Sequence, residues 1–305
     1  SEIDAALAKS FGMRLARIVD RQLPMALAIL VAIILLPLGI KTFLYFIVAP
    51  WASRRPAMRL LPSAAGRVTG QGSAEGPISA VSLPLVLRES QELFIQPEYL
   101  QSTPLQAAKD TRWLLNWSIP LASLLSGMFL LTRIRSAGAE PVVVSSTRDP
   151  LSEVGVIDLA EGSAFVCRPR ALVGVIQDPG KPIRITRHWR FGLQAWLTLQ
   201  LRFLAFHGPA QLILGGCRGI RIERAGAGRL INQAATLGFS GQVAYGNARC
   251  ETFLSYLTGK EELFNDLFTG DSGVYAYEET PAGRAAGIGG PLHGATDAIL
   301  KAFGV

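Results

Sequence analysis

The run from Pro24 to Pro50, PMALAILVAIILLPLGIKTFLYFIVAP, constrains this chain more than any other feature, because Lys41 is its one charged residue. At about 1.5 Å per residue, roughly 20 helical residues cross a hydrocarbon layer about 30 Å thick. The run is therefore long enough to span with some tilt. Lys41 sits towards one end, where its stem can reach a headgroup, and Pro37 is a place to kink. The apolar stretch is too long for the core of a cleaved leader, and no small-residue cleavage site follows it. A retained transmembrane helix over residues 24–50 is expected.

A second apolar stretch, Leu114 to Thr132 (LLNWSIPLASLLSGMFLLT), is flanked by Arg112 and Trp113 and by Arg133 and Arg135. Trp113 and Trp117 resemble interfacial anchors. Ser123, Ser126 and Gly127 are the small and hydroxyl residues that suit contact between helices in a membrane. A second transmembrane helix over 113–133 is expected, with a buried or re-entrant helix as the alternative. Ahead of the first span, Ile3, Leu7, Phe11, Leu15 and Ile18 recur at helical spacing, with Lys9, Arg14 and Arg17 off that face. Residues 1–23 thus read as an amphipathic helix lying on a membrane or a partner.

Composition agrees. Of 305 residues 49% are apolar and only 17% charged, and mean hydropathy is +0.30, against roughly 25% charged in an ordinary soluble domain. Disorder and collagen are excluded, and a net charge of +7 spread along the chain argues weakly for nucleic acid. Lys and Arg nearly balance on the two sides of the expected spans. The three cysteines, Cys167, Cys217 and Cys250, show no CxxC spacing and read as buried thiols of a reducing compartment, which favours a cytoplasmic C-terminal domain. A bacterial inner or intracytoplasmic membrane is the expected location.

From Val142 onward the pattern becomes that of strands. Leu193 to Phe203, LQAWLTLQLRF, alternates apolar and polar residues, with Trp196 the exception. Short strands are also expected at Val142–Ser145, Ala164–Arg168, Leu172–Ile176, Ile183–Thr186, Gln211–Leu214, Ile220–Arg224, Gln242–Tyr245 and Val274–Tyr277, and Glu251–Phe268 reads as short helix broken at Gly259. Gly76–Leu100 and Asp149–Leu172 form an internal repeat, pairing Pro77 with Pro150, Leu87 with Leu159, Pro97 with Pro169 and Leu100 with Leu172. A spanning second helix would put the copies on opposite sides, each building its own small domain. The expected fold class is membrane-anchored and mainly β, with two transmembrane helices plus one or more β-sandwich-like extramembrane domains. Its parts are a small β-containing segment at 51–112, a sandwich at 141–280, and a Gly/Pro-rich linker with a short terminal helix at 281–305.

Three stretches, Leu159–Val175 (LAEGSAFVCRPRALVGV), Phe203–Gly216 (FLAFHGPAQLILGG) and Thr252–Glu279, resemble the turn-and-strand unit, strand–Gly–strand hairpin and closing helix with hairpin of the mitochondrial-biogenesis AIM24-like family. The resemblance covers Asp149–Glu279, under half the chain. It implies a β-sandwich related to the tryptophan-attenuator type, and membrane-complex organisation without a catalytic motif. The two apolar segments depart from the soluble members.

Chemistry-bearing motifs are scarce. His188, His207 and His293 share no helix-face spacing and lie near no cysteine in sequence, and neither span holds a histidine to ligate haem or pigment. The runs Gly215–Gly219 and Gly226–Gly228 match no phosphate-binding fingerprint and read as hairpin turns. Adjacent acidic pairs such as Glu261–Glu262 do not face one cleft. No cofactor or metal is expected. Arg187, Trp189 and Arg190 group basic and aromatic character as a lipid-headgroup or partner contact rather than a nucleic-acid surface. The sequence therefore points to a non-catalytic accessory subunit of a respiratory or photosynthetic membrane complex. Its expected partners are other integral membrane subunits and lipid, not nucleic acid, contacted through Trp113, Trp117, Ser123, Ser126, Gly127, Arg187, Trp189 and Arg190. The competing readings are a membrane-bound redox protein or enzyme using Cys217 or the histidines, and a self-assembling β-domain scaffold.

Overall fold

The computed structural model describes residues 2–62, 65–70, 75–120, 123, 128–135, 140–146, 149–198 and 200–280, with side chains from Gln22 onward except at residue 169. Ser126, Gly127, His293 and the linker and terminal helix expected at 281–305 lie outside the described residues. The chain divides into two compact units, one holding the chain up to Trp51 with Arg249–Leu263, the other Ala52–Ala248 and the chain from Phe264 onward.

In the first unit one helix runs from Glu2 to Phe43 without a break at residue 23, and carries Pro24 and Pro37 inside it. A π-helical turn, Leu44–Val48, leads on to Ala49–Ser53. Within Gln22–Ser53 an 18-residue window reaches a mean hydropathy of 2.7, and the stretch is long and apolar enough to cross a membrane. Its side chains from Leu23 to Leu36 are exposed, as lipid-facing residues of a single span would be. Arg249–Leu263 packs on the last turns of this helix. Tyr45 donates its hydroxyl proton towards the Cys250 and Glu251 carbonyls, at 3.1 and 2.9 Å. The Arg249 guanidinium lies 4.4 Å from the Tyr45 ring. Lys41, expected to snorkel, donates to the Leu257 carbonyl at 2.9 Å instead, capping the short helix Phe253–Leu257. Gly259, at φ +74, follows that helix, and Phe264 already belongs to a strand. The helical reading of 251–268 therefore holds only for its first half.

The second unit is mainly antiparallel β-sheet in three layers. The first sheet runs edge to edge through Val68–Gly70, Ser152–Leu159, Ala210–Cys217, Leu172–Gln177, Glu92–Ile95, Phe129–Arg135 and Ala108–Leu114. The second runs through Arg184–Trp189, Arg202–His207, Ala164–Cys167, Thr236–Ser240, Phe264–Glu278, Ile220–Asn232 and Gly76–Pro77. The main core lies between these sheets, where Phe94, Ile157, Val175, Leu212 and Leu214 meet Phe165, Leu204, Phe206, Ile222 and Ala276. The three-stranded third sheet, Ser82–Leu85, Val142–Ser145 and Leu100–Ser102, covers the other face of the first. The middle of the first sheet is thus buried on both faces, so every residue of Leu172–Gln177 is buried and Leu172–Ile176 carries no polar side chain. Val175 enters one core and Val173 and Ile176 the other.

Three sequence expectations change here. Among the described residues the expected second transmembrane helix is not found: Ala108–Leu114 and Phe129–Arg135 pair as antiparallel strands from Ala108↔Arg135 to Leu114↔Phe129. Leu131 and Ile134 are apolar because they fill the two cores, not because lipid surrounds them. The strand expected at Leu193–Phe203 begins instead as a helix, Leu193–Thr198, and only Arg202–His207 is strand. In that helix Gln194, Ala195 and Thr198 are buried at one-turn spacing while Trp196 points outward.

The third change concerns the repeat. Both copies pass from strand through a 3-10 turn beginning at proline into strand: Glu92–Ile95, Pro97–Tyr99 and Leu100–Ser102, then Ala164–Cys167, Pro169–Ala171 and Leu172–Gln177. They do not build separate domains. Glu92–Ile95 of one copy pairs directly with Leu172–Gln177 of the other.

Candidate membrane and partner interface

The Arg–Trp–Arg group is positioned by the edge strand Arg184–Trp189 and the loop and helix that follow it. Pairing with Arg202–His207 sets Trp189 opposite Arg202 and Arg187 opposite Leu204. Arg187 is exposed. Trp189 stacks on Phe191 with centroids 5.9 Å apart and an interplanar angle of 5°, and the buried Arg202 guanidinium packs 5.6 Å from the Trp189 ring. With Trp196 from the next helical turn, three large side chains stand 51%, 74% and 58% exposed at Trp189, Phe191 and Trp196. That is an unusual density of exposed aromatics for one corner of a folded body.

Arg190 turns the other way. Its guanidinium lies 5.2 Å from the Phe203 ring and 5.0 Å from the Tyr245 ring, and donates to Asn247 Oδ1 at 3.2 Å. This places it on the outer face of the second sheet, over the aromatic cluster of Phe239, Tyr245, Phe268 and Tyr275. Beneath it Tyr245, fully buried, donates to Asp266 Oδ1 at 2.7 Å, lies 2.7 Å from the Gln200 amide oxygen, and accepts from the Asn247 amide at 3.1 Å. Burial and the Asp266 charge push the Tyr245 hydroxyl well above its ordinary value, so it stays a neutral phenol. Arg190 is therefore a positioning residue that pins the loop, not the surface contact expected of it.

The loop is also tied to Ala52 and Arg55, at the start of the second unit. The Gln194 side-chain amide donates to the carbonyl of Ala52, the Trp196 N–H to the carbonyl of Gly192 at 3.2 Å, and a Cβ on Gly192 would stand 3.1 Å from Arg55 Nη1. Arg202 is held somewhat below the usual arginine value by desolvation first and by neighbouring Arg187 second. Its Nε and Arg190 Nη1 are buried with no hydrogen-bond partner.

Trp113 and Trp117 are exposed at the hairpin tip. Asn116 shapes the turn between them, its side-chain oxygen accepting from the Ser118 N–H at 2.8 Å. Ser123 is buried, its N–H donating to Ile119 and its hydroxyl to the Asn116 carbonyl at 3.3 Å, and so braces the turn rather than a helix pair. Ala108–Leu114 is the edge of the first sheet and mostly exposed.

The groups of the competing readings also have places. Cys217 is buried, its N–H donates to Glu278 at 2.9 Å, and desolvation with the Glu278 charge pushes its thiol up, away from the thiolate. Burial likewise raises Cys167 and Cys250. His188 and His207, remote in sequence, meet across the pair of strands, with their Nε2 atoms 3.0 and 2.8 Å from the Thr186 hydroxyl. Among the described residues no group of three His, Cys, Asp or Glu side chains is placed to hold a metal. Of the two glycine runs only the first ends in a turn, where Arg218 at φ +56 and Gly219 at φ +121 reverse the chain between two strands; Gly226–Gly228 instead lies within the strand Ile220–Asn232, at an irregularity in its pairing.

The described residues define a layered β body of sandwich type carrying one long apolar helix. No family model matches the chain, and no curated protein is similar to it. Among solved structures it is similar to a Streptococcus pyogenes protein from a structural-genomics programme, at 14% identity and a TM-score of 0.45, over 72% of this chain and 96% of that one.

Proposed function

We propose that this protein is a non-catalytic, membrane-anchored scaffold subunit that stabilises a larger membrane assembly by burying surface against its neighbours. The observation that carries the reading is the exposed sheet edge Ala108–Leu114 ending beside Trp113 and Trp117. An unpaired edge offers backbone donors and acceptors to a partner strand, and exposed tryptophans are the side chains that anchor protein interfaces. Lys109, Asp110 and Arg112 place charge along the same edge, which restrains indiscriminate pairing with further copies.

The apolar helix supplies the second element of the proposal. Tethering in two dimensions raises the concentration of the β body at a membrane partner. The intended membrane is a bacterial inner or intracytoplasmic one, with the β body on the cytoplasmic side, where three protonated thiols are chemically at rest. The resemblance of Asp149–Glu279 to the AIM24-like family is in keeping with an organising role.

The test is extraction from native membrane in mild detergent, native gel separation, and mass spectrometry of the band that holds this chain. Co-migration at fixed stoichiometry with one large complex is expected. Migration alone or as a homo-oligomer overturns the reading.

A further inference from the structure

Residues 52–62 and 183–207 contain seven arginines and not one Asp or Glu. The fold brings these stretches together through the Gln194–Ala52 hydrogen bond and the approach of Arg55 to Gly192. Arg54, Arg55 and Arg187 are exposed, and among the described residues none of the three has a carboxylate within ion-pair distance. Behind them the buried Arg202 stacks on Trp189 with its Nε unpartnered. A cluster of guanidiniums without counter-charge calls for an anion from outside the chain.

Phosphate is the anion whose geometry a guanidinium matches. The surroundings decide which phosphate. Trp189, Phe191 and Trp196 are exposed, Trp189 and Phe191 stack on each other and Arg55 approaches Gly192 beside Phe191, and amphipathic rings beside arginine are the composition of a membrane interface. Ala52, to which the Gln194 amide is tied, lies in the last turn of the apolar stretch Gln22–Ser53. By chain connectivity alone, Arg54 and Arg55 follow directly on the stretch that would cross a bilayer.

We propose that the face of Trp189, Phe191, Trp196, Arg54, Arg55 and Arg187 docks on the anionic lipid headgroups of the membrane that the Gln22–Ser53 helix crosses. The inference rests on the membrane half of the proposed function and not on the identity of any partner subunit. The rings enter the interface beside the glycerol layer while the exposed arginines take lipid phosphates, with Arg202 holding Trp189 from behind.

The experiment uses the full chain in nanodiscs of phosphatidylcholine, with or without about a third phosphatidylglycerol, and reads tryptophan quenching by lipids brominated near the headgroup. Anionic lipid is expected to add a quenching component that Trp189→Phe with Trp196→Phe removes. Arg54→Gln, Arg55→Gln and Arg187→Gln together should cut that component by about half or more, as should about 0.5 M salt. Equal quenching in neutral and anionic discs, or a component that survives loss of both tryptophans, overturns the proposal. Displacement of the component by inorganic phosphate or a single-stranded oligonucleotide, without dependence on lipid charge, overturns it too. The arginine variant is also run on the native gel. Lost co-migration with unchanged lipid quenching reassigns the face to a protein partner and leaves the scaffold reading standing. Lost quenching with intact co-migration supports both.

Discussion

Two stretches of this chain are apolar enough to be taken for membrane spans, Pro24–Pro50 and Leu114–Thr132, yet one is helix and the other is the end of a β-hairpin. Hydropathy does not separate them; the placing of turn-forming residues does. The first run holds no Asn, Asp or Ser, and its prolines and glycine sit within a helix long enough to absorb them. The second has Asn116, Ser118, Pro120 and Ser123 in its middle, where a hairpin needs turn formers. Its basic flanks mislead as well. Arg133 pairs with the buried Glu92 at 2.7 Å and Arg135 with Asp110 at 2.9 Å, so this basic flank forms ion pairs across neighbouring strands. A lipid-facing run must satisfy its backbone within itself, whereas a core-facing run borrows partners from the next strand.

The sharpest break of this comparison puts the same charge into both runs. Leu131→Lys buries an ammonium in the main core, where Leu131 is fully buried, and should cost more than about 4 kcal/mol, leaving no cooperative unfolding transition for the β body. Leu36→Lys, on the exposed helix face, should leave that transition within about 0.5 kcal/mol of wild type. Its cost of about 3 kcal/mol falls on bilayer insertion, seen as release by alkaline carbonate. Calorimetry in detergent and carbonate extraction read the two effects separately. Loss of the β-body transition in Leu36→Lys would show that this run is core after all.

A smaller effect isolates the flank. Arg133→Gln leaves Glu92 buried with the Gln177 amide, 2.9 Å away, as a remaining donor. Because Arg133 is only partly buried, the expected loss is about 2 kcal/mol rather than the full cost of an orphaned interior charge. Arg135→Gln, in an exposed pair, should cost about 0.5 kcal/mol or less. Equal thermal shifts for the two would mean that Arg133 is no more than a surface charge.

How much was legible follows the same physics. Val142–Ser145 is a strand over the residues its composition marked, and the repeat marked two real strand–turn–strand units through Pro97 and Pro169. Local pattern suffices where one element supplies its own signal. It failed at Leu193–Thr198, where alternation over apolar and polar residues also fits a helix with Gln194 and Thr198 turned inward. The discordant Trp196 was the clue, since the residue that breaks the strand pattern is the one the helix exposes. Of the proposed face, Trp189 and Arg187 are legible in the sequence. Phe191, Trp196 and Arg202 carry no local signal, and Arg190, which its neighbours in sequence suggest faces outward, packs on Phe203 and Tyr245. Its inward turn depends on Tyr245 and Asn247, whose approach is set by sheet pairing alone.

The finest test concerns the histidine pair, another contact made only by strand register. Burial, then Arg184 and then His188 lower His207 below its ordinary 6.5. The unfolded chain therefore binds more protons than the folded one between the folded value and 6.5. Stability should fall as pH drops through that window, with the penalty complete below the folded value and absent well above 6.5. His207 is partly exposed, so solvent screening limits the effect to about a few tenths of a kcal/mol. His207→Gln keeps a polar group in reach of the Thr186 hydroxyl and cannot titrate. It should flatten the melting temperature between neutral and mildly acidic pH while leaving the neutral value nearly unchanged. An undiminished acid slope in that variant would assign the proton uptake elsewhere and remove the coupling between the two strands.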